Sequence, residues 1–330
     1  MHNLFNPVNS VMLLYTQKCN IACSHCVYDC SPDKNQKLDF NKTISLVKEL
    51  HKFKIMQLIL AGGEPLLYFD EVLKIISTAK KHKVDSILLT NGFWASSKKK
   101  AEETVSKLVS AGLNELVVSN DEFHSRFIPM TYTTNIFDAA KKHHLKASLK
   151  IVYSKNNSVF DFLHKNQNYF SKKNKKIALS FQQVLPIGRA AQNIPKENFN
   201  ACRNTKTFDK KCDFLGNLVI NYDGRVFACC NIFPEENPVF CLESNFNSNS
   251  LPFELINSYQ KSLLVFYLRT KGPYFIQKLA EKHKLNKVNA PERLLKGYVN
   301  SCDYCQLNLS QYSQKELNFL LLNEFEKNKK

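Results

Sequence analysis

Three cysteines in a short loop, Cys19, Cys23 and Cys26, are the residues of this chain best suited to metal chemistry. Three thiolates can hold three of the four irons of a [4Fe–4S] cube, and the fourth iron is then left open for a small chelating ligand. Further along, the chain reads Gly62-Gly63-Glu64-Pro65, a turn whose glycines allow close approach and whose carboxylate suits an ammonium group. Together the two motifs predict a redox cluster whose open iron binds an amino-acid derivative.

A zinc site is the alternative interpretation of the cysteine loop. Structural zinc is four-coordinate, and only His25 or Cys30 lies close enough in the sequence to supply the fourth ligand. The turn at Gly62–Pro65 has no purpose at a zinc site, and this favours the cluster. Cys30 is then expected to be a buried core thiol.

The composition indicates where such chemistry takes place. Eleven cysteines in 330 residues, without an N-terminal export segment, indicate a reducing compartment and metal ligation rather than disulfides. The chain has no apolar run near the roughly 18 residues that span a bilayer. Its length allows one or two domains, and its hydrophobic fraction of 44% is ordinary for a globular protein. We therefore expect a cytoplasmic protein with no membrane partner.

The net charge of +17 permits two interpretations. A strongly basic surface suits an acidic partner such as RNA or an acidic peptide. However, lysine far outnumbers arginine, and the lysine runs fall in expected loops or chain ends without interleaved aromatic residues. We interpret the charge as a solvated lysine-rich surface and do not expect a nucleic-acid partner.

Apolar strand signals alternate with amphipathic helix signals over residues 1–190, and this alternation predicts six β/α units. Six units with short connections indicate an open, partial (β/α)6 barrel whose site lies at the carboxyl ends of the strands. The predicted strands are Val11–Thr16, Gln57–Ala61, Ser86–Thr90, Glu115–Ser119, Ala147–Tyr153 and Ile177–Leu185. The predicted helices are Asp39–Phe53, Asp70–His82, Lys98–Ala111, Asn135–His144 and Val159–Tyr169.

The pattern changes after Arg189, where residues 191–210 are polar and read as a linker. Residues 211–330 are predicted to form a small cysteine-rich α+β domain with a β-hairpin and C-terminal helices. Asp223-Gly224 is a strong two-residue hairpin signal between strands at Asn217–Tyr222 and Arg225–Ala228. This turn would place Leu218 opposite Cys229. A helix is expected from Phe253 to Tyr267, continuing through Phe275–His283.

Four cysteines of this second region can form another thiolate site. The hairpin would bring Cys212 close to Cys229, and Cys302 and Cys305 form a Cys-x-x-Cys pair that can complete the ligand set. Four thiolates suit either a second [4Fe–4S] cluster or zinc. Since successive side chains of a strand point to opposite faces, Cys230 should face away from that site, where it is either a hydrogen-atom donor or a small buried residue.

The cysteine loop and the Gly62–Pro65 turn resemble those of the radical S-adenosylmethionine (SAM) enzymes. The resemblance implies that the first cluster binds and reductively cleaves SAM, that Glu64 accepts from its ammonium group, and that His25 stands at the aromatic position beside its adenine. The end of the predicted sixth strand resembles that of members with an auxiliary-cluster (SPASM-like) domain, which favours iron–sulfur at the second site. The SAM-contacting residues implied are Gly62, Gly63, Glu64, Pro65, His25, Asn91, Ser119, Asp121, Lys150 and Gly188.

A narrower resemblance is to the epipeptide epimerases, which invert residues of a ribosomally made peptide from L to D. It is carried by Cys23-Ser-His-Cys26-Val-Tyr-Asp-Cys30, Asn91-Gly-Phe-Trp94, Asp121-Glu-Phe-His124 and Asp223-Gly-Arg-Val-Phe-Ala-Cys-Cys230. The spacing from Cys212 to Cys229 is one residue longer than expected for that group. The resemblance implies a precursor-peptide substrate, an electron donor such as flavodoxin or ferredoxin, and Cys230 as the catalytic hydrogen donor. A thioether-forming peptide maturase and an RNA-modifying radical SAM enzyme are the alternatives.

Overall fold

A computed structural model describes residues 7–170, 177–202, 211–212, 216–229, 238–243, 246, 252–285 and 297–328. Within these ranges nine strands form one sheet in the order β6-β5-β4-β3-β2-β1-β7-β8-β9. Among the helices of the described ranges, none combines the length and apolar character needed to cross a membrane. The strands are β1 Ser10–Thr16, β2 Gln57–Gly62, β3 Asp85–Thr90, β4 Glu115–Ser119, β5 Lys146–Tyr153, β6 Ala178–Gln183, β7 Asn217–Ile220, β8 Val226–Phe227 and β9 Cys241–Glu243.

The first six strands are parallel to their neighbours and run in sequence order across the sheet. Strands β1 to β5 contain fully buried central residues, as at Leu13, Leu60 and Leu88, whereas the first four residues of β6 are exposed. The sheet does not close, since β6 stands at one end of it. The predicted α/β architecture with an open parallel sheet and C-terminal helices is confirmed.

The helices are placed near their predicted positions, with local differences at their ends. They are α1 Phe40–Glu49, α2 Phe69–Lys81, α3 Lys98–Ala111, α4 Met130–Lys142, α5 Val159–Lys165, α6 Gln167–Phe170, α7 Arg189–Asn193, α8 Pro252–Gln260, α9 Leu263–Thr270, α10 Pro273–Lys282, α11 Ser301–Leu309 and α12 Gln314–Lys327. The helix predicted through Phe53 ends at Glu49 and continues only as a 3-10 turn. The helix predicted from Phe253 to Tyr267 is two helices, because the Ser262 side chain accepts from the amide of Val265 and starts a new one.

The predicted hairpin exists, but its register was wrong by one residue. Val219 pairs with Phe227 and Ile220 with Val226, so Leu218 faces Ala228 rather than Cys229. The amide of Asn221 donates to the carbonyl of Arg225 at 2.9 Å, which leaves a three-residue loop that ends at Gly224 with φ of 87°. A loop of this kind shifts the pairing by one residue relative to a two-residue turn.

The hairpin is not separate from the barrel sheet. Strand β7 pairs in parallel with β1 from Ser10↔Asn217 to Leu13↔Ile220. The sheet therefore continues from the parallel strands into the antiparallel pairs β7–β8 and β8–β9. The division of the chain at residues 190 and 210 stays a prediction.

Candidate active site

The cysteine loop leaves the carboxyl end of β1 and lines a cavity of about 220 Å³. Cys19 and Cys23 are buried and Cys26 is half-buried. The amide of Cys19 donates to the carbonyl of Ser31 at 3.0 Å, so the two ends of the loop are tied together. The three predicted ligands of the first cluster thus share one cavity wall.

The environment of the three thiols suits cationic iron. The side-chain amide nitrogen of Asn91 lies 3.7 Å from the sulfur of Cys19, and the backbone amide of Cys30 donates to the sulfur of Cys26 at 3.3 Å. Burial raises the pKa of Cys19 to about 12, and the charge of Glu64 adds to the effect. A buried thiolate is costly unless a cation replaces the lost hydration, and iron coordination supplies one. The donor set therefore fits an iron–sulfur cluster.

Two histidines come close to one of these cysteines. The sulfur of Cys23 and one ring nitrogen each of His25 and His124 lie within 4.8 Å of one another. The rings of His25 and Phe123 pack at 4.7 Å, and burial lowers the pKa of His25 to about 3, which keeps it neutral. His25 Nδ1 is buried and has no hydrogen-bond partner among the described residues. His25 thus borders the cavity as an uncharged ring.

The glycine turn after β2 packs against the backbone that leads into the cysteine loop. A Cβ at Gly63 would lie 2.1 Å from the carbonyl oxygen of Lys18, and one at Gly62 would lie 2.5 Å from that of Thr16. The Gly63 amide donates to Thr16 at 2.6 Å. Both glycines line the cavity. The backbone of the chain itself, apart from any ligand, therefore requires glycine at these two positions.

The carboxylate of Glu64 is fully buried and bonded to the next strand end. It accepts from the backbone amide of Asn91 at 2.7 Å, from the Thr90 hydroxyl at 2.9 Å and from the backbone amide of Leu66 at 3.1 Å. Burial raises the pKa of Glu64 to about 7 despite these donors. Pro65 follows at the start of a 3-10 turn. A contact between Glu64 and an ammonium group stays a prediction.

Three further predicted SAM-contacting residues line the cavity, namely Asn91, Ser119 and Lys150. They follow or lie within β3, β4 and β5, so the carboxyl ends of successive strands supply them, as expected for a partial barrel. The other four predicted SAM-contacting residues do not line the cavity; they are Glu64, Pro65, Asp121 and Gly188.

Asp121 orients a histidine that the sequence analysis had not assigned to the site. Its Oδ1 accepts from His124 Nδ1 at 2.9 Å and from the Phe123 amide at 2.9 Å, and its Oδ2 accepts from the Val152 amide at 3.0 Å. Burial alone would lower the pKa of His124, but the charge and hydrogen bond of Asp121 outweigh it and raise that pKa. His124 lines the cavity. The proximity of His124 to Asp121 in the sequence was the available signal.

The loop after β6 holds the cysteine loop from the other side. Gly188 has φ of 58°, and a Cβ there would lie 2.2 Å from the Val27 carbonyl oxygen. The guanidinium of Arg189 donates to the carbonyls of Cys23 at 3.0 Å and Cys30 at 2.7 Å. It also forms an ion pair with Asp29 at 2.9 Å. Arg189 is a second residue to which the sequence analysis gave no role.

The described cysteines of residues 211–330 are half-buried, and two of them lie on the same helix. Cys302 and Cys305 lie one turn apart on α11. Burial raises the pKa of Cys305 well above its usual value, and the charges of Cys212 and Cys302 raise it further. Burial also raises the pKa of Tyr259, to which Cys229 and Cys212 contribute. Cys230 lies outside the described residues.

Comparison with known proteins agrees with this geometry. The family model of the Radical SAM superfamily matches residues 13–154. The chain is 26% identical over 291 residues to the putative peptide biosynthesis protein YydG of Bacillus subtilis (strain 168), covering 87% of this chain and 88% of that protein. It is 29% identical over 141 residues to a probable GTP 3′,8-cyclase of Methanocaldococcus jannaschii, of which it covers only 45%.

The fold resembles solved structures over nearly its whole length. A structure of anSMEcpe with bound AdoMet and Kp18Cys peptide matches with a TM-score of 0.56 at 16% identity, covering 95% of this chain and 99% of that one. At this identity the match concerns the fold. The matched residues 13–154 include the cysteine loop, the Gly62–Pro65 turn and strands β2 to β5 in full. Residues 13–154 of this chain therefore correspond to a radical SAM domain.

Proposed function

We propose that this radical SAM enzyme inverts residues of a ribosomally made peptide from the L to the D configuration. The observation that carries a peptide substrate is the similarity to a peptide biosynthesis protein, which covers 87% of this chain. The inversion rests on the epimerase-like segments, above all the Cys229-Cys230 pair that follows the hairpin.

The match of residues 13–154 to the Radical SAM superfamily implies SAM and one [4Fe–4S] cluster, which Cys19, Cys23 and Cys26 would hold. When bound, this cluster would supply the electron that cleaves SAM into methionine and a 5′-deoxyadenosyl radical. The protein's own residues exclude water and hold the substrate. Glu64 and Asp121 keep the strand-end loops in place through buried hydrogen bonds, and Lys150 and His124 provide nitrogen-bearing side chains at the cavity wall.

The hydrogen and electron balance defines the role of Cys230. The Cα hydrogen of the L-residue leaves with the adenosyl carbon as 5′-deoxyadenosine, and the Cys230 thiol gives its hydrogen to the opposite face of Cα. One electron and one proton then restore the thiol. Each inversion consumes one SAM and two electrons, and an electron donor of the flavodoxin or ferredoxin class would supply the electrons.

A second [4Fe–4S] cluster is proposed at Cys212, Cys229, Cys302 and Cys305. In its support, the charges of Cys212 and Cys302 act on Cys305, and those of Cys212 and Cys229 act on Tyr259. In the observed register Cys229 lies one residue beyond Ala228, the residue that faces the fully buried Leu218. Zinc at this site would be the outcome that contradicts the proposal.

The test is a reaction in heavy water with candidate peptides encoded beside the gene. Inversion with hydrogen from an exchangeable thiol adds one mass unit to the peptide, whereas thioether formation removes two hydrogens. The variant Cys230→Ala should still form 5′-deoxyadenosine but no D-residue. Normal rates of deuterated D-residue formation by that variant would show that another group donates the hydrogen.

A further inference from the structure

Strand β6 is the last strand at one edge of the described sheet. Among the described residues only β5 pairs with it, in continuous register from Ser148↔Ala178 to Tyr153↔Gln183. Its first four residues are exposed, and the side chains of Leu179 and Phe181 are 36% and 51% exposed. Proteins normally protect such an edge with lysine, proline or a bulge. The segment Ala178–Gln183 has none of these features, so it is suited to pairing with another strand.

The free hydrogen-bonding groups of this edge can be identified from the ladder. The Val184 amide donates to the Tyr153 carbonyl at 2.8 Å, so even-numbered residues of this segment direct their backbone groups to β5. In a parallel pair the backbone groups of alternate residues point to opposite sides. The amides and carbonyls of Leu179, Phe181 and Gln183 therefore point to the open edge.

The edge leads directly into the candidate active site. Gln182 and Gln183, at the carboxyl end of β6, line the same cavity as Cys23 and Lys150. Phe181 precedes Gln183 by two residues, which is about 7 Å along a strand. A chain paired with Leu179 and Phe181 thus reaches the cavity within its next few residues.

We propose that an extended segment of the substrate peptide binds along β6 as an additional strand and so delivers its neighbouring residues into the cavity. This inference rests on the proposed function. Backbone hydrogen bonds to Leu179, Phe181 and Gln183 supply affinity for any extended peptide, and the exposed Leu179 and Phe181 side chains favour apolar side chains at alternate positions. In this binding mode, the segment of the peptide that β6 recognises is different from the residue that reacts in the cavity.

The test uses random peptides of about ten residues, long enough to pair with a short strand. Displayed peptides are selected on the anaerobic holoenzyme with SAM, and the dissociation constants of enriched peptides are measured without reductant, so that no turnover occurs. Phe181→Pro removes one outward N–H and the apolar contact, and it should weaken binding about tenfold. Phe181→Ala keeps the amide and should weaken binding less. Phe160→Ala, on a side chain that is 75% exposed on α5, should leave binding unchanged.

Hydrogen exchange gives an independent readout. Peptide addition should slow exchange at Leu179 and Phe181, whereas Ser180 and Gln182 already face β5 and should change little. If Phe181→Pro lowers the melting temperature, Phe181→Lys serves instead, since it keeps the amide and places a charge on the edge. The proposal is overturned if the selected peptides bind all edge variants as tightly as they bind the natural protein. It is also overturned if these peptides leave the amides of Leu179 and Phe181 unprotected from exchange. In a separate reaction with reductant, edge-binding peptides that acquire no D-residue would contradict the inversion and leave the docking intact.

Discussion

Replacing Arg189 with alanine should release the cysteine loop and remove the first cluster. The Arg189 side chain is 11% exposed, and its guanidinium joins the carbonyl of Cys23 to that of Cys30 across the loop. The Arg189 amide also donates to the Cys26 carbonyl at 3.0 Å, but a substitution of the side chain leaves this backbone bond in place. The variant therefore isolates the contribution of the guanidinium.

The expected size of the effect follows from the three side-chain contacts. Each hydrogen bond from a charged donor contributes about 1.5–3 kcal/mol, so the two carbonyl contacts together give about 3 kcal/mol at the low end. The ion pair with Asp29, which is 33% exposed, adds at most about 1 kcal/mol. A loss of about 3 kcal/mol lowers the population of the ligand-binding loop conformation by about two orders of magnitude.

The assay is anaerobic reconstitution under limiting iron, followed by iron analysis and by electron paramagnetic resonance of the reduced protein with and without SAM. Arg189→Ala should lose the signal that SAM perturbs, and Arg189→Lys should recover part of it, because lysine keeps the charge but not the fork geometry. Arg269→Ala is the matched control, since it removes a guanidinium contact to the Pro7 carbonyl at 3.2 Å. A SAM-perturbed signal of natural intensity in Arg189→Ala would refute the reasoning.

Three further changes test other parts of the site. Gly63→Ala should destabilise the protein by at least about 1–3 kcal/mol and weaken SAM binding, because the added methyl meets the Lys18 carbonyl; unchanged melting and SAM affinity would contradict this. Glu64 has a pKa of about 7 in the folded state, so its ionisation in the unfolded chain destabilises the fold increasingly from about pH 4.3 to pH 7. Over that range the melting temperature of the iron-free Glu64→Gln variant should rise relative to that of the natural protein. A difference in melting temperature that does not depend on pH would argue against this. Cys302→Ala combined with Cys305→Ala should lower the iron content from about eight to about four per chain while SAM cleavage persists, and zinc in place of iron would contradict the second cluster.

The sequence was sufficient to predict the six parallel strands and the edge at which their polar ends meet. Short apolar runs such as β2 and β3 end at glycine or polar residues, and parallel strands place all such ends at one edge. Cys19, Gly62, Asn91, Ser119 and Lys150 accordingly line one cavity. Periodicity and strand order carry this information, and neither depends on distant contacts.

The hairpin register could not be predicted from Asp223-Gly224 alone. A glycine with positive φ fits both a two-residue turn and the last position of a three-residue loop. The structure has the second form, with Gly224 donating to the Asn221 carbonyl at 2.8 Å. The pairing of β7 with β1 lies across more than two hundred residues of sequence, and local turn chemistry contains no record of it.

Local sequence patterns also could not predict which groups the glycines and carboxylates contact. Gly62–Glu64 and Gly188 were both predicted to contact a ligand, yet each packs on the backbone at the cysteine loop, through Lys18 on one side and Cys26 and Val27 on the other.

These two contacts also explain why an open sheet can form one compact site. Strand β2 is the neighbour of β1, but β6 stands at the far end of the parallel set. The loop after β6 nevertheless bonds to the loop after β1, through Arg189 and the Cys26 carbonyl. The sheet must therefore curve until the carboxyl ends of its first and sixth strands meet. The cysteine loop holds that curvature, because it is the element that both ends share, and the geometry of the three thiols consequently depends on the whole partial barrel rather than on the loop alone.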